Sequence, residues 1–185
     1  LDLDAKDVVI GIAASGRTPY VIGGLKYARK TGALTAGLSC NPTAQISRYA
    51  DVAIEVESGP EVLTGSTRLK AGTSQKLVLN MISTASMIGI GKVYENLMVD
   101  VQPTNKKLVE RSKRIIMEAT GTDLMTAEQF YLKSKSNVKA AILMILLNCS
   151  LDEALKRLTQ AKGFVRMAVE SPSRTEKQAN DLNEV

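Results

Sequence analysis

The chain contains no histidine and no tryptophan. Without histidine it lacks the side chain that most readily carries protons near neutral pH. Ser–His activation of a nucleophile and the commonest metal ligand are missing with it. Aromatic residues make up only 4% of the chain, which argues against a nucleic-acid reader built on base stacking. The two cysteines, Cys40 and Cys149, are too few for a disulfide framework or a metal cluster and read as free thiols in a reducing compartment. No apolar run approaches the ~20 residues of a membrane span, and no signal peptide is evident. The sequence therefore points to a cytoplasmic protein with no metal, no cofactor, no nucleic-acid partner and no membrane partner.

The formal charge is +5. Lys and Arg are spread along the chain, with one short cluster at Lys106, Lys107 and Arg111 to Arg114. Such a spread gives a solvated surface with a mild attraction for anionic metabolites. The 185 residues can bury a real core and hold one domain plus a smaller one. The first residue is Leu, and an interior-type strand follows after a short acidic and polar lead. Both features read as a chain that begins within a longer protein.

The most informative stretch runs from Val8 to Lys30. Apolar Val8-Val9-Ile10 gives way to Gly11-Ile12-Ala13-Ala14-Ser15-Gly16-Arg17-Thr18-Pro19-Tyr20, and helical spacing follows. Small residues let the backbone approach a ligand. Ser15 and Thr18 offer hydroxyls where a helix opens, and the unpaired N–H groups and dipole of a helix N-terminus favour an anion. The same two hydroxyls also suit ordinary helix capping.

Further along, Leu34–Ser39 and Val52–Val56 read as strands, with a turn at Ser39-Cys40-Asn41-Pro42 and a short helix at about 44–50. Strand, helix, strand, helix, strand at this spacing predicts parallel strands with right-handed crossovers, an α/β sheet. Ligands gather beyond the carboxyl ends of such strands. The rim should thus be built from 13–18, 39–42 and the hydroxyl-rich stretch 58–73. Residues 74–90 are apolar nearly all round and predict a buried helix. Residues 93–102 fit no single element. Thr104 or Asn105 caps a helix to about Ala119, and shorter helices follow at about 126–133, 138–147, 151–161 and 163–170. The expected division is a sheet domain over 1–102, a helical subdomain over 103–170 and a polar, disordered tail over 171–185.

Taken in order, Gly11–Tyr20, Ser39-Cys40-Asn41-Pro42, Gly59-Pro60-Glu61-Val62, Thr64–Thr73 and Asn96-Leu97-Met98-Val99-Asp100-Val101 closely resemble the bacterial N-acetylmuramic acid 6-phosphate etherases. The resemblance covers the carboxyl-terminal part of that family. It implies a sugar isomerase (SIS) domain, with a parallel sheet in three layers of the flavodoxin-like type. It also implies a phosphorylated amino sugar as ligand and a homodimer. The activity implied is cleavage of a lactyl ether in cell-wall sugar recycling. A base takes the C2 proton of the open-chain sugar, an acid helps the lactyl oxygen leave C3, and water adds to the double bond. The products are N-acetylglucosamine 6-phosphate and D-lactate.

On the resemblance, Ser15, Gly16 and Thr18 match the second phosphosugar loop, although Ala13 stands where many SIS domains carry another polar side chain. Asn41, Glu61, Thr64, Ser66, Thr67 and Lys70 are further substrate-binding candidates, with Arg68 beside them. For Glu61 a cap on the next helix, or a solvated loop carboxylate, explains the residue at least as well. The family's two catalytic glutamates belong to the amino-terminal half, one of them in an Asp-Ala-Ser-Glu context, and neither context occurs here. No catalytic residue is assigned, and the chain alone is expected to be inactive. A sensor or regulator that binds a phosphosugar on the same fold is the alternative reading.

Overall fold

In the computed structural model, residues 2–171 are described; beyond Ser171, the tail expected at 171–185 lies outside them. The chain divides into two compact units, Leu1–Ser83 and Thr84–Val185.

In the first unit, β1 (Val8–Ile12), β2 (Leu34–Ser39) and β3 (Val52–Glu55) form a parallel sheet in the order β1-β2-β3. The register pairs Ile10 with Ala36 and Leu38 with Ile54. β2 is the central strand, and all its residues after Leu34 are buried. α1 (Pro19–Lys30) crosses over between β1 and β2, and a 3-10 turn at Gln45–Tyr49 does so between β2 and β3. Leu25 and Ile46 from these connections are fully buried with Ala13 and Ala44 in a small core. The α/β class read from the sequence is thus observed.

The start of the sheet is held by one side-chain cluster. Asp51 Oδ2 accepts from the Thr35 backbone N–H at 3.0 Å and from its hydroxyl at 2.7 Å. Arg29 Nε at the end of α1 lies 3.3 Å from Asp51 Oδ1. The hydrogen bonds from Thr35 hold the Asp51 carboxyl below the ordinary aspartate range. Gly11 in β1 sits where α1 comes closest. A Cβ there would lie 2.8 Å from Val21 Cγ1 and 2.9 Å from Leu25 Cδ1.

α2 (Lys70–Gly89) corrects one expectation. Its sequence predicts burial on nearly all sides, yet only Ala71 and Val78 are buried, while Leu77, Met81 and Ile88 are more than half exposed. Residues seven apart lie on one stripe of a helix. That stripe is packed, and the other positions of the helix are half-buried or exposed. The helix reading survives; the burial reading does not.

The second unit starts with a small antiparallel pair, β4 (Val93–Tyr94) and β5 (Leu97–Met98), turning through Glu95 at φ 54°. Five helices follow: α3 (Lys106–Thr120), α4 (Leu124–Lys133), α5 (Val138–Leu146), α6 (Leu151–Gln160) and α7 (Val165–Glu170). Four open on side-chain caps. Asn105, Asp123, Asn137 and Ser150 accept from the N–H groups of Leu108, Thr126, Ala140 and Glu153. α5 is apolar except at Lys139 and forms the centre, with Val138, Ala140, Ala141, Ile142, Leu143 and Met144 buried. Around it pack Ile116, Tyr131, Leu158 and Val165. No helix among the described residues is long and apolar enough to cross a membrane.

Because Ile142 is fully buried in this cluster, Ile142→Ala is expected to destabilise the protein by about 2–5 kcal/mol. Chemical denaturation followed by circular dichroism checks this.

Candidate functional site

The turn between β1 and α1 is fastened by its own carbonyls. Ala13 O accepts from Gly16 N at 2.8 Å, and Gly16 O from Ile46 N at 2.9 Å. Ala14 O accepts both from Cys40 N and from Asn41 Nδ2, each at 3.0 Å. Gly16 has φ 66°, and a Cβ there would drive into that of Ala44. Only glycine combines this left-handed backbone with so close an approach.

With its carbonyls engaged, the turn presents donors. Thr18 occupies the N-cap position of α1, but its side chain makes no capping bond, and Pro19 follows with no N–H. The Ser15 hydroxyl accepts only a long bond from Arg17 N, 3.4 Å. The first α1 amide bonded back to the turn is that of Ile22, to Thr18 O at 3.1 Å. The amides of Tyr20 and Val21 therefore have no partner in the helix. The capping explanation of Thr18 is not realised, and Ser15, Thr18 and the α1 N-terminus are available to an anion.

The facing loop, residues 40–47, is fixed by a carboxylate. Glu55 accepts from Thr43 N at 2.8 Å, Ala44 N at 2.9 Å and the Ser47 hydroxyl at 2.5 Å. These bonds, the hydroxyl's foremost, hold its carboxyl below the ordinary glutamate range. The Ser39 hydroxyl donates to Asn41 O at 3.0 Å. Thr43 is held at φ 55°, an uncommon state for a β-branched residue.

Two cavities open on this rim. The smaller, about 180 Å³, is lined by Ala14, Cys40, Asn41, Ser58, Glu61, Ser66 and Thr67 among others. The larger, about 410 Å³, is lined by Ser15, Arg17, Asn41, Thr43, Gln45 and Arg48 among others. Asn41 belongs to both and stands between them. Of the sequence candidates, the structure brings Asn41, Glu61, Ser66 and Thr67 around the smaller cavity, and Ser15 and Asn41 around the larger. Gly16 shapes the turn from beneath. Thr18, Thr64 and Lys70 line neither cavity.

Glu61 has a clear structural task. Its carboxylate accepts from Lys70 N and Ala71 N, both at 3.1 Å, and so closes the N-terminus of α2. These amide bonds, that of Ala71 foremost, hold its carboxyl below the ordinary glutamate range. A carboxylate held in this way is a weak base. Cys40, buried beside it, donates weakly to Ala71 O at 3.6 Å, and burial pushes its thiol up. Arg17, Thr43, Arg48, Cys40 and Ser58 were not among the sequence candidates. Arg17, Cys40 and Ser58 lie inside the stretches expected to build the rim; Thr43 and Arg48 carry no local signal, because only the fold brings them there.

The edge of the parallel sheet thus carries a donor-rich turn faced by a polar loop. Residues 1–85 match the family model of the SIS domain, in agreement with the parallel sheet of the first unit. Over 169 residues it is 69% identical to proteins named N-acetylmuramic acid 6-phosphate etherase from Bacillus cereus (strain G9842) and Bacillus anthracis (strain A0248), and 68% identical to that of Bacillus cereus (strain ATCC 10987 / NRS 248). The matches cover 91% of this chain and 58% of each relative. By sequence the chain is kin to these etherases, and it spans less than two thirds of their length.

Two outcomes follow from this geometry. Gly16→Ala is expected to destabilise the first unit by about 1–3 kcal/mol, through strain at positive φ and the clash with Ala44; a denaturant melt reads it. Glu61→Ala should lower the hydrogen-exchange protection of the Lys70 and Ala71 amides. Because folding depresses the Glu61 carboxyl, its support of α2 is full above the unfolded glutamate value of about 4.3. It is lost as pH falls through the folded value, and protection of the same amides in the unsubstituted chain should fall over that acid range.

Proposed function

We propose that the chain binds a phosphorylated amino sugar, with the phosphate seated on the turn at residues 13–18. The observation that carries this reading is Thr18 at the head of α1 with its hydroxyl not used for capping, beside a Ser15 hydroxyl held by one long bond. A phosphate there would receive hydroxyl donors and unpaired amides together, aligned with the helix dipole.

The complete protein is, on this reading, an N-acetylmuramic acid 6-phosphate etherase. Kinship at 69% identity supports it. The chemistry would be loss of the C2 proton, departure of D-lactate from C3 with its ether oxygen protonated, and addition of water to the resulting double bond. The role of this chain is to bind and orient the sugar. Glu61, the carboxylate on the smaller cavity, is tied to two amides with its acidity strengthened, so it suits neither the base nor the acid. The acid–base pair belongs to residues outside this sequence. The same kinship favours a homodimer working in the cytoplasm.

Ser15→Ala combined with Thr18→Ala should weaken binding of N-acetylglucosamine 6-phosphate by roughly 1–3 kcal/mol, as bonds to a charged group are lost. Calorimetry measures it; unchanged affinity would move the phosphate elsewhere. The 185-residue chain alone is expected to release no D-lactate from N-acetylmuramic acid 6-phosphate. A coupled lactate dehydrogenase assay checks this, and turnover above background would place the acid–base groups within the chain.

A further inference from the structure

α2 is one continuous helix with two stripes, and only one of them is packed. The packed stripe holds Ala71 and Val78, both buried, with Gln75 and Ile82 half-buried. The second holds Leu77, Met81, Thr84 and Ile88, and all four are exposed, Met81 by 63%. Its positions follow one another at four, three and four residues. That is the heptad spacing of a helix whose side chains interlock with those of another helix. A helix face kept for solvent carries charged side chains. Here no charged residue occurs between Lys76 and Lys92.

We propose that this stripe is the surface through which two copies of the chain associate, by antiparallel pairing of α2 with α2 of the second copy. A two-fold axis needs a stripe that matches itself when reversed. Spacing of four, three and four reads the same in both directions. Leu77 then meets Ile88 of the second copy, and Met81 meets its Thr84. Charge fixes the direction. Lys70 and Lys76 are the only charged residues of α2 and lie in its first two turns, while its last turn has no basic residue. A parallel pair would set these lysines side by side and align the two dipoles. An antiparallel pair sets the cationic first turns beside carbonyl ends that lack a cation of their own. The inference names a face for the homodimer favoured above and rests on that reading only for the identity of the partner.

Sedimentation equilibrium of the 185-residue chain is expected to show a monomer–dimer equilibrium. Met81→Glu should raise its dissociation constant by about a hundredfold or more, because two carboxylates would enter one seam unpaired. Met81→Leu should keep the dimer. Met81 is exposed in the single chain, so Met81→Glu leaves the fold intact, and circular dichroism checks that. Disulfide formation reads the register. Leu77→Cys and Ile88→Cys variants, mixed and oxidised, should link to each other. Neither should link to itself, since like positions lie about 16 Å apart along an antiparallel pair at 1.5 Å rise per residue. The unsubstituted chain, with Cys40 and Cys149, is the blank. Self-links without the mixed link show a parallel pair and overturn the proposal. A dimer that ignores Met81→Glu and forms no mixed link lies on another face; the proposal then falls and the homodimer reading stands. A chain that is monomeric throughout overturns the proposal and, for this chain, the homodimer, and assigns the stripe to the part of the relatives that this sequence does not span.

Discussion

The rim depends on the backbone bonds that join the turn at residues 13–18 to the segment 40–46. Cys40 N and Ile46 N donate to carbonyls of the turn, and Gly16 closes the turn on Ala13. These bonds use acceptors on both sides. What remains facing outward is the complementary set: hydroxyls of Ser15 and Thr18, N–H groups at the head of α1, and two guanidiniums. A parallel sheet always brings successive loops to one edge. Here the direction of the cross-loop bonds also leaves donors rather than acceptors on that edge.

Carboxylates reinforce the same outcome. Asp51, Glu55 and Glu61 could each have neutralised a nearby cation on the surface. Instead, Glu55 and Glu61 accept from backbone N–H groups at the starts of the 3-10 turn and of α2, and Asp51 accepts from Thr35. Only Asp51 adds an ion pair, with Arg29. Hydrogen bonds lower all three carboxyls below their ordinary range. The acidic groups therefore serve the scaffold, which leaves Arg17 and Arg48 uncompensated at the ligand edge. An acidic residue on a candidate rim is an uncertain guide to catalysis for this reason: the amide partners of Glu61 explain its position without any substrate.

Much of the architecture was legible because its signals are local. The strand–turn–helix sequence at Val8–Lys30, the glycine-bearing turn and the Asn105 cap each act over a few residues. The ordered motifs added kinship, which the 69% identity to the etherases bears out. What could not be read was tertiary. The apolar pattern of α2 states what the helix can bury, whereas its exposure depends on which surfaces stand opposite. The β4–β5 pair was ambiguous because two-residue strands are too short to show alternation. Arg48 and Thr43 reach the cavity through the placement of the 3-10 turn under β2, and no spacing in the sequence foretells that Arg48 faces Arg17's segment.

The absence of histidine acquires a physical meaning at this edge. Arginine stays charged throughout the accessible range, and serine and threonine do not titrate there. Burial pushes the Cys40 thiol up, further from ionisation at neutral pH, and Glu61 is held down. The hydroxyls and backbone amides of the rim thus do not titrate across the pH range in which a histidine-lined pocket would switch. A phosphate monoester, in contrast, gains its second charge near pH 6. Any change in anion affinity between mildly acidic and neutral pH would then originate in the ligand rather than in the rim. On the function proposed above, the rim would serve as a fixed template that holds the sugar while other groups carry out proton transfer.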